Sequence, residues 1–297
     1  MHRPLVRRVR PHMLDVRTLL ERQIHDLVGH GTGDIDLMHG DCGLFGPQSA
    51  SWKVHADFTT MMIGGIAALL MQMLHPGALA GVWDHSNFRH DMLGRLRRTA
   101  QFVAATTYGS TEEAERLITR VQTIHDRVSG VLPDGTPYSA NDPDLLTWVH
   151  AAEVACFLEA YIRYRDPDFP IAEQDRYLAE TAIVARRLGA EGVPATRAAL
   201  DHYLRDIRPQ LRSDARTREV SGALLKQSAP NAALVPVGTL MMQAGINLLP
   251  GWAARMHGLR TVPAPAIRAG VHGVGTLIRW ALRDTSAKQA QRRVALG

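Results

Sequence analysis

The sequence predicts an all-α fold: a single many-helix globular domain. Three observations lead there. Apolar residues recur at three- and four-residue spacing through most of the 297 residues. No segment alternates apolar and polar residues over strand length. No Pro/Ser-rich linker or internal repeat divides the chain. Hydrophobic content of 45% against 21% charged is that of a chain able to bury a sizeable core.

The first helix is predicted over 13–29, with Leu19, Leu20, Ile24 and Leu27 on helical spacing and Gly29 to Gly33 ending it. Residues 30–57, rich in Gly, Asp and Ser, read as a loop anchored by Trp52 and Val54. An apolar helix follows, capped by Thr59 or Thr60, and stops at His75-Pro76. Proline clashes with the carbonyl four residues back and biases the residue before it away from αR geometry. The apolar run from Met61 to Leu74 is shorter than the ~20 residues that span a bilayer, so it reads as a buried core helix. Its Gly64-Gly65 pair weakens the helix but lets a neighbour or a flat ligand come close. His75 is expected at the C-terminal end of this helix as a capping or pocket residue. Free carbonyls there favour a protonated ring or an Nδ1–H donor. His85 and His90 fall in an expected loop.

Asp91 to Tyr108 reads as the next helix. Arg95, Arg98 and Thr99 stand at i, i+3 and i+4 and share one face. Exposed, that face is ordinary; turned inward, two arginines require an anion. Ser110-x-x-Glu113 is a capping box opening a helix to Val128, with His125 on the side of Leu117, Val121 and Ile124. Pro133-Asp134-Gly135 is a turn, and Asp142-Pro143 supplies the N-cap and first position of a helix to about Arg165. His150, Val154, Phe157 and Tyr161 line one stripe of that helix, with Trp148 beside them in the core. Further helices are predicted near 171–188, 194–207, 213–227, 231–248 and 264–283, the last running into a polar tail.

Net charge is +5, with basic clusters near both ends (Arg7 and Arg8; Arg292 and Arg293) that read as solvated. No zinc-finger spacing or RNA-binding signature supports a nucleic-acid partner. Cys42 and Cys156 imply no disulfide framework, and the N-terminus has no apolar signal core. A cytoplasmic chain without a transmembrane segment is therefore expected, peripheral membrane contact remaining possible. GxSxG, P-loop, HExxH and GxGxxG motifs are absent, as is the paired Glu-x-x-His of di-iron bundles. What remains is a helical pocket with His75, His125, His150 and paired arginines. That set fits a haem held between helices, with one neutral imidazole on iron, arginines near the propionates or the distal face, and apolar walls. Two other readings stay open: non-haem iron held by the three histidines, and a non-catalytic haem- or lipid-binding protein.

Several stretches, in order, resemble one oxygenase family. They are Leu74-His75-Pro76, Arg95-Leu-Arg-Arg-Thr99, Ile124-His125-Asp-Arg-Val128, Gly135-x-x-Tyr138-x-Ala140-x-Asp142-Pro143 and Trp148-Val149-His150. Val193-Pro194, Leu249-Pro250 and Gly258-Leu259 continue the series. They are similar to the MpaB-type enzymes and the catalytic domain of rubber oxygenase, the latex-clearing protein. The resemblance covers about residues 45–260, leaving 1–44 as an N-terminal helix and loop and 261–297 as a C-terminal helix and polar tail on the same domain. It implies a fold that is globin-like in the broad sense and, in the rubber-cleaving members, haem b. It implies that His125 is the axial iron (metal) ligand, with Arg95 and Thr99 matching a distal arginine and threonine. His150 is the rival ligand or a pocket residue, and His75 a further candidate for binding the cofactor. Arg98 stands where the rubber enzymes carry lysine; arginine keeps its charge and cannot ligate iron as a neutral amine, which puts the rubber substrate in doubt. The implied activity is insertion of dioxygen at an apolar, unsaturated, isoprenoid or lipid-like substrate. Arg95, Arg98 and Thr99 would act as catalytic residues.

Overall fold

Ser49, inside the predicted loop, caps the first helix of the computed structural model, which describes residues 40–227, 232–282 and 285–295. The predicted helix at 13–29 lies outside these residues. Helix α1 (Ala50–His55) falls where a loop was expected; the Ser49 hydroxyl accepts from the Trp52 N–H at 3.1 Å. Trp52 and Val54 are buried, as expected of anchors. One and a half turns are too few for periodicity to declare a helix.

Helix α2 (Phe58–Gln72) is the predicted apolar helix, but its cap is Asp57, whose Oδ1 accepts from the Thr60 N–H at 3.0 Å. Neighbours press on two sides of it. The long helix α6 (Pro143–Tyr164) crosses at Gly64, where a Cβ would stand 2.7 Å from Phe157 Cδ1 and 3.0 Å from its Cα. Helix α10 (Val235–Leu248) approaches through Gly245, where a Cβ would lie 2.5 Å from Ile66 Cγ2. Burial on two faces explains why the segment reads as almost continuously apolar. The same holds for α6: by length and composition it could cross a membrane, yet 67% of its apolar window is buried inside the fold.

Beyond a 102° bend, α3 (Pro76–His85) begins with Pro76 at its first position. The next helix, α4 (Phe88–Tyr108), starts before the predicted Asp91 and kinks there. Asp91 leaves helical geometry (φ −139°, ψ 56°), and its Oδ1 accepts from the Gly94 N–H at 2.8 Å, so it caps the second limb. Helix α5 (Thr111–His125) opens on Ser110, whose hydroxyl accepts from the Glu113 N–H at 3.2 Å. It ends three residues short of Val128, because the chain turns into an antiparallel hairpin of β1 (Ser129–Val131) and β2 (Pro137–Ser139). Gly130 lies opposite Tyr138, whose ring occupies the space of a Cβ at 2.8 Å. Three-residue strands are too short to alternate visibly.

The remaining helices are α7 (Ile171–Leu188), α8 (Arg197–Asp206), α9 (Ala215–Leu225), α11 (Gly251–His257), α12 (Ala264–Ala281) and α13 (Ser286–Ala295). Thr196, and not Pro194, opens α8, its side chain accepting from the Ala199 N–H at 3.2 Å. In place of the predicted polar tail stands α13. Its Arg293 is fully buried, donating to the carbonyls of Asp41 at 2.9 Å, Tyr108 at 2.7 Å and Gly109 at 3.2 Å. The basic end is therefore not wholly solvated: three carbonyls compensate the desolvated guanidinium. The main core gathers around α2, α6 and α10. A second core, with Val54, Phe157 and Tyr177, shares α6 with the first.

Candidate functional site

Helices α4 and α5 pack together and meet at the Gly109-Ser110 joint. Arg95 stands fourteen residues before Gly109 and His125 fifteen after Ser110. At ~1.5 Å per residue, both lie about 21 Å along their helices from the joint. The sharpest candidate ligand and the sharpest candidate cation thus lie at similar distances from the joint along two connected helices.

His125 is the last residue of α5 and is half-buried. Its Nδ1 is sealed from solvent with no hydrogen-bond partner among the described residues, whereas Nε2 is not sealed. Burial lowers its pKa below 6.5, with Asp126 opposing, so the ring is neutral near pH 7. A neutral imidazole with a reachable nitrogen is the form that binds a metal.

Arg95 is half-buried beside Leu69, Met73, Met92, Val220 and Leu224. Its guanidinium makes no hydrogen bond or ion pair among the described residues. Burial, then repulsion from Arg98, draws its pKa down to about 10, which still leaves it charged near pH 7. A cation among apolar side chains without a counter-ion favours an incoming anion.

The predicted Arg95–Arg98–Thr99 face does not act as one. Arg98 is exposed and pairs with Asp91 at 3.3 Å; Thr99 is exposed and donates to the Arg95 carbonyl at 3.2 Å. The kink at Asp91 explains the split, since it brings a carboxylate within reach of Arg98.

His75 is also corrected. It is the N-cap of α3, and its Nδ1 accepts from the Gly77 N–H at 3.2 Å. The expected protonated or Nδ1–H donor form is therefore replaced by an acceptor. Burial lowers its pKa, with Asp142 partly offsetting. Its ring centroid lies 6.3 Å from that of Trp148, a core residue.

His150, on α6, keeps a sealed Nε2 without a partner, and burial, with a smaller effect from Arg186, lowers its pKa to about 4. One turn later stands Glu153, which sequence reasoning missed. Burial pushes its pKa up to about 7; burial first, and then nearby acids including Glu153, raise the pKa of Tyr177 and Cys156. Its signal was visible: an acid inside the run Ala151-Ala152-Glu153-Val154 of a buried helix. His55, also missed, is a satisfied core residue: Nδ1 meets the Thr107 hydroxyl at 2.8 Å and Nε2 the Tyr177 hydroxyl at 2.9 Å.

Among the described residues no three His, Cys, Asp or Glu side chains converge as a metal-ligand set, so His75, His125 and His150 do not form a shared iron site. A haem asks less of the protein: one imidazole on the iron and cations for its carboxylates. The reachable nitrogen of neutral His125 and the unpaired charge of Arg95 fit that group. The usual acceptor for the other ring nitrogen is absent, since Nδ1 has no partner.

This helical arrangement is similar to that of a solved oxygenase, latex clearing protein in the closed state, at a TM-score of 0.55 and 15% identity. The match covers 83% of this chain and 73% of that one. The model of the family described as ER-bound oxygenase mpaB/B'/rubber oxygenase, catalytic domain, matches residues 52–280. The chain belongs to that family and is an oxygenase, an oxidoreductase. No curated protein matches it.

Proposed function

We propose that this oxygenase is haem-dependent and acts on an apolar, unsaturated substrate of isoprenoid or lipid-like type. What supports this reading is that the chain carries both a neutral, reachable imidazole at His125 and an unpaired, half-buried charge at Arg95, on neighbouring packed helices. His125 would hold the iron, and Arg95 would meet a propionate or charge developing on dioxygen. When bound, haem supplies the redox chemistry by which oxygen is added across a carbon–carbon double bond. The protein's share is to keep the imidazole neutral, to place a positive charge and to exclude water. Arg98, exposed and paired with Asp91, does not serve as an iron-capping group. That supports a substrate other than rubber.

The test compares Arg95→Ala with Arg98→Ala, reading dioxygen uptake by hemin-loaded protein with squalene as the isoprenoid probe. Arg95→Ala should lower uptake by about a hundred- to a thousand-fold, the scale of one removed electrostatic donor. Arg98→Ala should stay within about twofold, as exposed ion pairs contribute little. Equal losses in both variants, or none in Arg95→Ala, would reject the assigned roles. Absence of uptake by hemin-loaded wild type would reject the oxygenase reading for this substrate class.

A further inference from the structure

On the side of α6 away from His150 lies a cleft of about 480 Å³. At ~100° per residue, Ala155, Glu159 and Arg163 face it roughly opposite to His150. None of the histidines or arginines of the candidate haem site lines it. Its floor is apolar: Met71, Cys156, Leu200, Leu248 and Leu249 are all buried below it. Leu204 and Trp252 form walls.

The charges at the rim do not cancel. Glu159 is engaged by Arg163 at 2.7 Å and Arg197 at 3.9 Å, and Asp201 holds Arg197 at 3.3 Å. Arg163 also donates to the Asn247 carbonyl at 2.8 Å. Arg205, in the last turn of α8, and Arg208, just beyond its end, have no acidic partner among the described residues. The Arg208 guanidinium rests over the Trp252 ring at 5.0 Å, which fixes it at the mouth. An apolar trough therefore ends at two uncompensated guanidinium groups. Guanidinium forks suit carboxylate geometry, and a cavity of a few hundred Å³ with an apolar lining suits one chain-like ligand.

We propose that this cleft binds an amphipathic carboxylate, with its chain on the Met71–Leu200–Leu248 floor and its head group between Arg205 and Arg208. The assignment is independent of the haem reading, because it shares no residue with that site.

Calorimetric titration with oleate, below its micelle concentration, tests it on the full chain, with oleyl alcohol as the uncharged control. Wild type should bind oleate saturably, and at least ten times more tightly than the alcohol. Arg205→Ala/Arg208→Ala should lose that preference while still binding hemin as wild type does. Leu204→Trp, which narrows the trough, should weaken both ligands. The two arginines are exposed, so the double variant is expected to fold; circular dichroism checks this. Failure of wild type to bind oleate saturably, or equal oleate affinity in the double variant, would overturn the proposal. Unchanged oleate affinity in Leu204→Trp would place the ligand elsewhere and overturn it too.

Discussion

Glu153 and His150 stand one turn apart on α6, and burial drives both toward their neutral forms. Their effects on stability run in opposite pH directions. Folded, Glu153 keeps its proton to about pH 7, whereas the ordinary value for a glutamate is 4.5. Between these values the unfolded chain holds fewer protons, so this contribution to stability is present below 4.5 and is lost as pH rises to about 7. His150 stays neutral down to about 4 against an ordinary value of 6.5, so its contribution is lost as pH falls through that window. Glu153→Gln should therefore melt ~2–4 °C above wild type at pH 8 and match it at pH 4.5 by calorimetry. The same melting difference at both pH values would show that the carboxyl is not held neutral. Arg293 makes a second point at this scale. Arg293→Met should destabilise by about 2–4 kcal/mol, since it leaves three carbonyls without their charged donor. A denaturation midpoint unmoved by that change would mean that water satisfies the carbonyls equally well.

Among the helices, the α2–α6 crossing makes the clearest demand on the sequence. Gly64 and Gly65 are adjacent and identical in composition, but only Gly64 faces the backbone of α6; a Cβ on Gly65 would stand an ordinary 3.8 Å from Phe157 Cε1. Gly64→Ala should cost about 1–3 kcal/mol by overpacking the crossing. Gly65→Ala should be neutral, or should stabilise by up to ~1 kcal/mol through helix propensity. Urea unfolding of the two variants checks both; equal effects would contradict the crossing. The paired glycines announced a close approach, but not which of them makes it. That depends on helix phase, which the flanking apolar residues leave open because α2 is buried on two sides.

At the scale of the whole chain, long helices were legible because their periods and caps agree: α6 and α7 fall where Asp142-Pro143 and the 171–188 periodicity place them. Short ones were not. Helices α1 and α11 are too brief to show a period, and α13 is held by a buried arginine that looked like part of a solvated tail. His125 and His150, both singled out from the sequence, each keep a sealed ring nitrogen without a hydrogen-bond partner among the described residues. Which way the basic face turns was not legible, because it depends on the kink at Asp91, whose carboxylate pairs with Arg98. Glu153 escaped because an acid on a helix is ordinarily solvated, and only burial of α6 makes it unusual. The central claim is that His125 ligates haem. Hemin titration of wild type, His125→Ala and His150→Ala, followed in the Soret region, tests it most directly. A saturable one-to-one Soret band is expected in wild type and His150→Ala, and its loss in His125→Ala. An unchanged band in His125→Ala, or loss in His150→Ala alone, would contradict it.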